Sequence, residues 1–218
     1  MRFKHILMNS ILYNRSTNCL RKYSQLLTLI IGMIGYCLPV WDVAVVGLHF
    51  NTFDLAEWTT LHASVQLTPI PLIPSLALRI GVIGFILLLH LSIISLGISK
   101  RIYWLSAAFA GIAMLPPLEV LSQLSLDLNF RQQLSAALAT WVGLCICYFF
   151  SRGKKWTFNI ILLVTAVSYV IGITTSRQLL LESQVSTETG VGLYFVVISI
   201  ACLSLMNRVE DKFPYPYH

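Results

Sequence analysis

The sequence predicts an all-helical integral membrane protein, built as a six-helix transmembrane bundle with both termini in the cytoplasm. Three observations lead to this prediction. Of the 218 residues, 56% are hydrophobic and 11% are charged, whereas a soluble domain carries roughly 25% charged residues. The apolar residues are gathered into six long runs, and the Lys and Arg residues cluster between alternate pairs of runs. So much apolar surface needs an apolar solvent, and that solvent is the lipid bilayer.

The first apolar run covers residues 26–46 and is interrupted only near its end, by Pro39 and Asp42. At 1.5 Å per residue, this run can cross a hydrocarbon core of about 30 Å. It is too long for the apolar core of a signal peptide and no convincing small-residue cleavage site accompanies it, so we interpret it as a retained span. Five further spans are predicted at residues 80–98, 102–121, 134–150, 158–174 and about 189–206.

The distribution of charge predicts the orientation. Basic residues in short loops favour the cytoplasmic side. With the N-terminus inside, 12 of the 15 Lys and Arg residues lie on the inner side, and only Arg79, Arg131 and Arg177 lie outside. A count of five or seven spans would break this pattern. We therefore expect an inner or plasma membrane protein, in which the basic residues behind the net charge of +6 determine the topology. We expect no nucleic-acid binding.

The chain is expected to form three parts. These are a basic cytoplasmic tail at residues 1–25, a transmembrane domain at residues 26–206 and a cytoplasmic tail at residues 207–218. The only long connection is the first outer loop, residues 47–78. Its three prolines, Pro69, Pro71 and Pro74, favour an extended return to the second span.

The first outer loop also contains a short amphipathic segment. Leu55, Trp58 and His62 recur at helical spacing, which predicts a short interfacial helix with an apolar and aromatic stripe. Asp54 stands three residues before Glu57, as in a capping box. The stripe could be a docking surface for another protein, or a static cover over the bundle.

Three charged residues are predicted to lie near the outer surface. Asp42 is close to the end of span one, Arg79 opens span two and Glu119 is close to the end of span three. Because a charge within a membrane costs about 2.5 to 3.5 kcal/mol on insertion scales, each of them needs an explanation. One explanation is a structural cluster that joins the first three spans. The other is an ion or proton site that opens to the outside.

His90 is predicted to lie close to the centre of the bilayer, eleven residues after Arg79. A neutral imidazole at that depth could ligate a haem or pigment metal, or bind a quinone. The commoner role of such a histidine is a buried side chain that is hydrogen-bonded to a serine on another span. A ligand role would normally require a second ligand, which the sequence does not identify.

The motifs of common enzyme classes are absent from the sequence. It contains no G-x-S-x-G, H-E-x-x-H, Walker A or G-x-G-x-x-G motif. Its five cysteines include Cys145 and Cys147, which a helix directs to different sides. We therefore predict no catalytic residues, and the sequence leaves the presence of a metal open.

These observations suggest three functions, which we give in order of preference. The first is a non-catalytic subunit or assembly factor of a larger membrane complex, bound to other membrane proteins through its outer loop and termini. The second is a small-solute permease or channel component that uses Asp42, Arg79 and Glu119. The third is a pigment, haem or quinone carrier centred on His90. In all three the lipid bilayer is the surrounding partner.

Overall fold

The protein is mostly helical. The computed structural model describes residues 2–43, 47–61, 73–116, 128–150 and 155–212. Within these ranges, four helical segments are long and apolar enough to cross a membrane by length and composition, which supports a membrane protein. They are Ile73–Ser95, Asn129–Phe149, Lys155–Glu182 and Val191–Arg208.

The described residues form seven helices and three short strands. The helices are α1 (Arg2–Cys37), α2 (Thr52–Leu61), α3 (Ile73–Ser95), α4 (Lys100–Ala113), α5 (Leu128–Phe150), α6 (Lys155–Glu182) and α7 (Val191–Lys212). The strands are β1 (Trp41–Val43), β2 (Leu48–Phe50) and β3 (Glu188–Thr189), in an antiparallel sheet of order β2-β1-β3. We call α2 and this sheet the cap, because they lie together at one end of the bundle.

Helix α3 is the central helix of the bundle, and small residues let its neighbours approach it closely. A Cβ atom on Gly84 would overlap Thr165 on α6, and a Cβ atom on Gly172 of α6 would overlap Leu78. On another side, Leu87 packs against Gly143 of α5. Helix α3 therefore runs antiparallel to α6 and parallel to α5.

Helices α1 and α7 pair antiparallel over the second half of α1. Gln25 Nε2 donates to Asn207 Oδ1 over 3.4 Å. Further along α1, Gly32 approaches Ser199, and Gly35 approaches Val196. Because α7 is long and apolar enough to cross a membrane, the second half of α1 lies beside a candidate span over the same depth.

The first predicted span ends earlier than expected. Helix α1 stops at Cys37, and the chain enters strand β1 at Trp41, so the prediction of a helix through Asp42 is wrong. Pro39 explains the end of the helix, because it restricts the residue before it and lacks an N–H group. Helix α1 also begins at Arg2, so the expected boundary between a tail and a span at residue 26 lies within one continuous helix.

The second and third predicted spans are also shifted, and prolines explain both shifts. Helix α3 begins at Ile73 rather than at residue 80. Pro74 lies in its first turn, where a missing N–H group costs no hydrogen bond. Helix α4 ends at Ala113 rather than at residue 121, shortly before Pro116. At 14 residues, α4 is about 21 Å long.

The last three predicted spans correspond to longer helices. Helix α5 begins at Leu128 rather than at residue 134, and α6 extends from Lys155 to Glu182. Helix α7 begins at Val191 and continues to Lys212, beyond the expected end at residue 206. Residues 213–218 of the predicted C-terminal tail lie outside the described part of the chain.

The short helix predicted within residues 47–78 is present as α2, but its capping residue differs from the prediction. Asn51 Oδ1 accepts hydrogen bonds from the backbone N–H groups of Phe53 and Asp54, at 2.9 and 3.0 Å. Asn51 is therefore the N-cap, and Asp54 lies in the first turn. Leu55 and Thr59 are fully buried, because this face of α2 packs onto the start of α3.

Candidate functional site: the cap cleft

A buried polar network joins α2 to α3 and α5 at the cap end of the bundle. Ser75 Oγ donates to Gln132 Oε1 over 2.7 Å, and Thr60 Oγ1 donates to Ser75 Oγ over 2.8 Å. All three side chains are buried. The Gln132 Nε2 amide makes no hydrogen bond within the described residues, so the network retains an unused donor at a buried position, at a cost in free energy.

Arg79 lies one turn deeper on α3 and is 8% exposed. Its Nη2 donates to Asn129 Oδ1 over 2.6 Å, and its Nε donates to Ser75 Oγ over 3.3 Å. Asn129 Nδ2 in turn donates to Glu57 Oε1 over 3.3 Å. A neutral amide therefore links the guanidinium to the carboxylate of Glu57, which itself lies on the exposed side of α2.

Beside Arg79 there is a cleft of about 100 Å³, which we call the cap cleft. It lies between the first turns of α2, the cap end of α3 and the end of α4. One water needs about 10–15 Å³ of such space, so the cleft has room for several non-hydrogen atoms. Its lining includes Thr52, Asp54, Glu57, Arg79, Ala113 and Met114.

A series of buried hydroxyl groups begins at the lining of the cap cleft. Thr52 is fully buried and lines the cleft. Its hydroxyl faces that of Tyr169 on α6, and the Tyr169 ring packs on Tyr36 of α1 at 5.3 Å between centroids. Apart from the contact between Thr52 and Tyr169, none of these three hydroxyl oxygens has a hydrogen-bond partner within the described residues. Thr52 shares the lining of the cleft with Arg79, the only charged side chain that is buried in the described part of the chain.

The expected cluster of Asp42, Arg79 and Glu119 is not assembled among the described residues. Asp42 Oδ1 pairs with His49 Nδ1 at 2.6 Å, across strands β1 and β2. Arg79 instead binds Ser75 and Asn129, and Glu119 lies outside the described residues. Strand β1 carries Asp42 away from the helix end on which the prediction placed it.

The stripe predicted as a docking surface faces the bundle where it is described. Leu55 is fully buried in the core, and Trp58 is half-buried against Phe50, with ring centroids 5.9 Å apart. His62 lies outside the described residues. Leu55 and Trp58 are therefore packing residues of the cap, rather than an exposed apolar surface.

His90 forms a second polar group on α3, deeper in the bundle. Its Nδ1 lies 2.8 Å from the Ile86 carbonyl oxygen, and since a carbonyl only accepts, Nδ1 carries the proton. Its Nε2 therefore accepts from Ser106 Oγ on α4, at 3.1 Å. The ring is 1% exposed and packs edge-on against Tyr103. A pigment, haem or quinone bound at Nε2 would have to displace Ser106.

Sequence reasoning missed most residues of the cap cleft and of the buried polar network beside it. Thr52, Asn129 and Gln132 are polar residues of ordinary type in turns next to predicted spans, and the prediction gave them no role. Their position in the sequence could have identified them, because Asn129 and Gln132 lie on one face of the first turns of α5. Among the described residues, no group of three or more His, Cys, Asp or Glu side chains could hold a metal ion.

Comparisons with known proteins identify no relative. No family model, no curated protein sequence and no solved structure matches this chain. The cap cleft is therefore interpreted from its own chemistry.

Proposed function

We propose that the chain is a non-catalytic component of a membrane transport system, and that it binds a small polar solute in the cap cleft. The observation that carries this proposal is the buried Arg79 guanidinium, which lines one cleft together with the buried hydroxyl of Thr52, whose hydrogen-bonding capacity is not filled by its one neighbour, the Tyr169 hydroxyl. Burying a charge and leaving a polar group unsatisfied both cost free energy. A bound polar solute would use both groups.

The subunit or assembly function ranks second in this proposal. It depended partly on an exposed apolar stripe in the first outer loop, and Leu55 of that stripe is fully buried. The chain termini, its other proposed contacts with partner proteins, supply no described side chain that favours one partner.

We propose that the chain crosses the membrane six times, with the cap outside and both termini in the cytoplasm of a cell bounded by an inner or plasma membrane. Three observations support this topology. Helix α1 runs beside α7 over the same depth, and α3 runs antiparallel to α6. At the end opposite the cap, Lys22 Nζ donates to the Ser95 carbonyl over 2.6 Å, in a region that also carries Lys100 and Arg101.

Two exposed serines test the proposed topology. Ser99 precedes α4 at the end opposite the cap, and Ser186 precedes β3 in the cap region. In a cysteine-free background, a membrane-impermeant maleimide should label Ser186→Cys in intact cells, and should label Ser99→Cys only after permeabilisation. The reverse pattern would place the cap inside, and labelling of both positions in intact cells would overturn the alternating crossings.

Replacement of two exposed alanines by tryptophan, one in the cleft and one away from it, tests the function. Ala113 is exposed at the end of α4 and lines the cap cleft, whereas Ala201 is exposed on α7. Uptake of a panel of radiolabelled small polar solutes is measured with the purified protein in proteoliposomes. We expect uptake of at least one solute, a loss of roughly tenfold or more in Ala113→Trp, and little change in Ala201→Trp. No uptake of any solute, or equal uptake by both variants, would overturn the proposal.

A further inference from the structure

We propose that the solute of the cap cleft is a small zwitterion with one acidic group and one amine carrying N–H groups. Arg79 would bind the acidic group, and Asp54 with Glu57 would bind the amine. This inference rests on the proposed function, because it assigns the class of solute to the same cleft.

The acidic end is assigned from the chemistry of Arg79. A guanidinium carries five N–H donors in a planar fork that matches a carboxylate or a phosphate. Within the described residues, Ser75 and Asn129 each take one donor, and both partners are neutral. The positive charge of this 8% exposed side chain is thus balanced only at a distance, by Glu57 through Asn129. An anionic group in the cleft would balance it directly.

The amine end is assigned from the acidic residues of the lining. Asp54 and Glu57 are three residues apart on α2, so they lie on one helix face, and both line the cleft. The end of α4, with Ala113, Met114 and Leu115, also lines it. A helix C-terminus carries partial negative charge on its free carbonyl groups. The lining therefore presents two carboxylates from α2 and the C-terminus of α4, together with one guanidinium from α3.

Both signs of charge in one small cleft favour a dipolar solute over a simple ion. A free anion would be repelled by Asp54 and Glu57, and a free cation would be repelled by Arg79. The Thr52 hydroxyl, which is fully buried and lines the cleft, adds a neutral donor and acceptor. With about 100 Å³ available, the cleft fits a molecule of a few non-hydrogen atoms, such as glycine or alanine, or the headgroup end of an aminophospholipid.

The test is equilibrium binding of radiolabelled glycine to the full-length protein in phosphatidylcholine nanodiscs, with acetate and methylamine as competitors. Glycine should bind, and each single-charge competitor should be at least roughly tenfold weaker, because each makes only half of the charged contacts. Arg79→Gln, Asp54→Asn and Glu57→Gln should each weaken glycine binding roughly tenfold to hundredfold. Arg79→Lys, which keeps the charge, should retain more affinity than Arg79→Gln. Asp42→Asn is the matched control, since Asp42 pairs with His49 on the cap sheet, and it should bind normally.

A second set of binding measurements distinguishes a free solute from a lipid headgroup as the ligand. Unchanged glycine binding in phosphatidylethanolamine nanodiscs supports a free zwitterion, whereas loss of glycine binding there, with phosphatidylethanolamine retained through purification, supports the headgroup form. If acetate or methylamine binds as tightly as glycine, and Ala113→Trp abolishes that binding, the zwitterion class is wrong while the proposed function stands. If no probe binds in either lipid and Ala113→Trp leaves uptake unchanged, both are overturned.

Discussion

Helix α3 carries two polar groups that are built in opposite ways. At the cap end, the groups around Arg79 border a cleft, and the Thr52 hydroxyl and the Gln132 amide are left with unused hydrogen-bonding capacity. Deeper in the bundle, His90 has both ring nitrogens hydrogen-bonded, and Tyr103 donates to the Leu144 carbonyl over 2.7 Å. The deeper group is closed and joins α3, α4 and α5. A closed group stabilises the fold, whereas an open group retains capacity for a ligand.

The largest expected effect is on the closed group. Tyr103 is 1% exposed and packs against His90, Trp104 and Tyr148. Tyr103→Ala should lower the free energy of unfolding by about 3–5 kcal/mol, because it leaves a cavity and removes a hydrogen bond. Reversible unfolding in mixed detergent micelles measures the change. Tyr194→Ala is the control, because Tyr194 is 57% exposed on α7, and it should stay within about 0.5 kcal/mol. If Tyr103→Ala and Tyr194→Ala lower the free energy of unfolding by the same amount, Tyr103 does not join these helices.

The next effect concerns the packed layer between the two groups. Gly84 lies between Arg79 and His90, where an added Cβ atom would overlap Thr165 Oγ1. Gly84→Ala should therefore cost about 1–3 kcal/mol in the same unfolding measurement, because α3 and α6 must move apart. Adding Thr165→Ala should recover part of the loss. If the single variant is neutral, the cap cleft and the closed group are not separated by tight packing.

A smaller effect is expected at His90. His90→Leu removes two hydrogen bonds but keeps an apolar side chain of similar size, so the cost should be about 1–2 kcal/mol. Ser106 Oγ, no longer donating to His90, can then donate its single proton to the Tyr103 carbonyl, 2.9 Å away. Visible absorption spectra of the purified wild type and the variant should be the same and lack a pigment band. A band in the wild type that disappears in the variant would instead make His90 a cofactor ligand.

The smallest effect on stability is expected at Arg79. Its described hydrogen-bond partners are neutral, and the carboxylate of Glu57 remains at an exposed position when the guanidinium is removed. Arg79→Met should therefore change the free energy of unfolding by less than about 1 kcal/mol in either direction, since no buried charge is left uncompensated. A loss of about 3 kcal/mol or more would make Arg79 a structural residue like His90, and the contrast between the two groups would disappear.

The sequence predicted the helical membrane class because composition alone determines the solvent, and four of the described helical segments have the length and hydropathy of spans. The helix ends were harder to predict, because the effect of a proline depends on its position. Pro39 and Pro116 follow helix ends, whereas Pro74 lies inside the first turn of α3. Apolar periodicity does not distinguish these cases.

The cap cleft could be predicted only in part. The prediction singled out Arg79 because a charge at the end of an apolar run is conspicuous in any sequence. Its partners were not predicted, because Ser75 and Asn129 are neutral and Asn129 is 50 residues away along the chain. The choice between Asp42 and Asn129 depends on where the chain turns after Cys37, and that turn is a tertiary feature.

The pairing of α1 with α7 also bears on how the protein is made. Gln25 meets Asn207 across 182 residues of sequence, so α1 leaves the ribosome well before α7, the helix that it packs against. At roughly 5–20 residues per second, that partner appears about 10 to 40 seconds later. During this interval the small residues Gly32 and Gly35, and the amide of Gln25, face lipid, the translocation machinery or a chaperone. Truncation before α7 should therefore leave α1 as the site at which quality control recognises the incomplete chain.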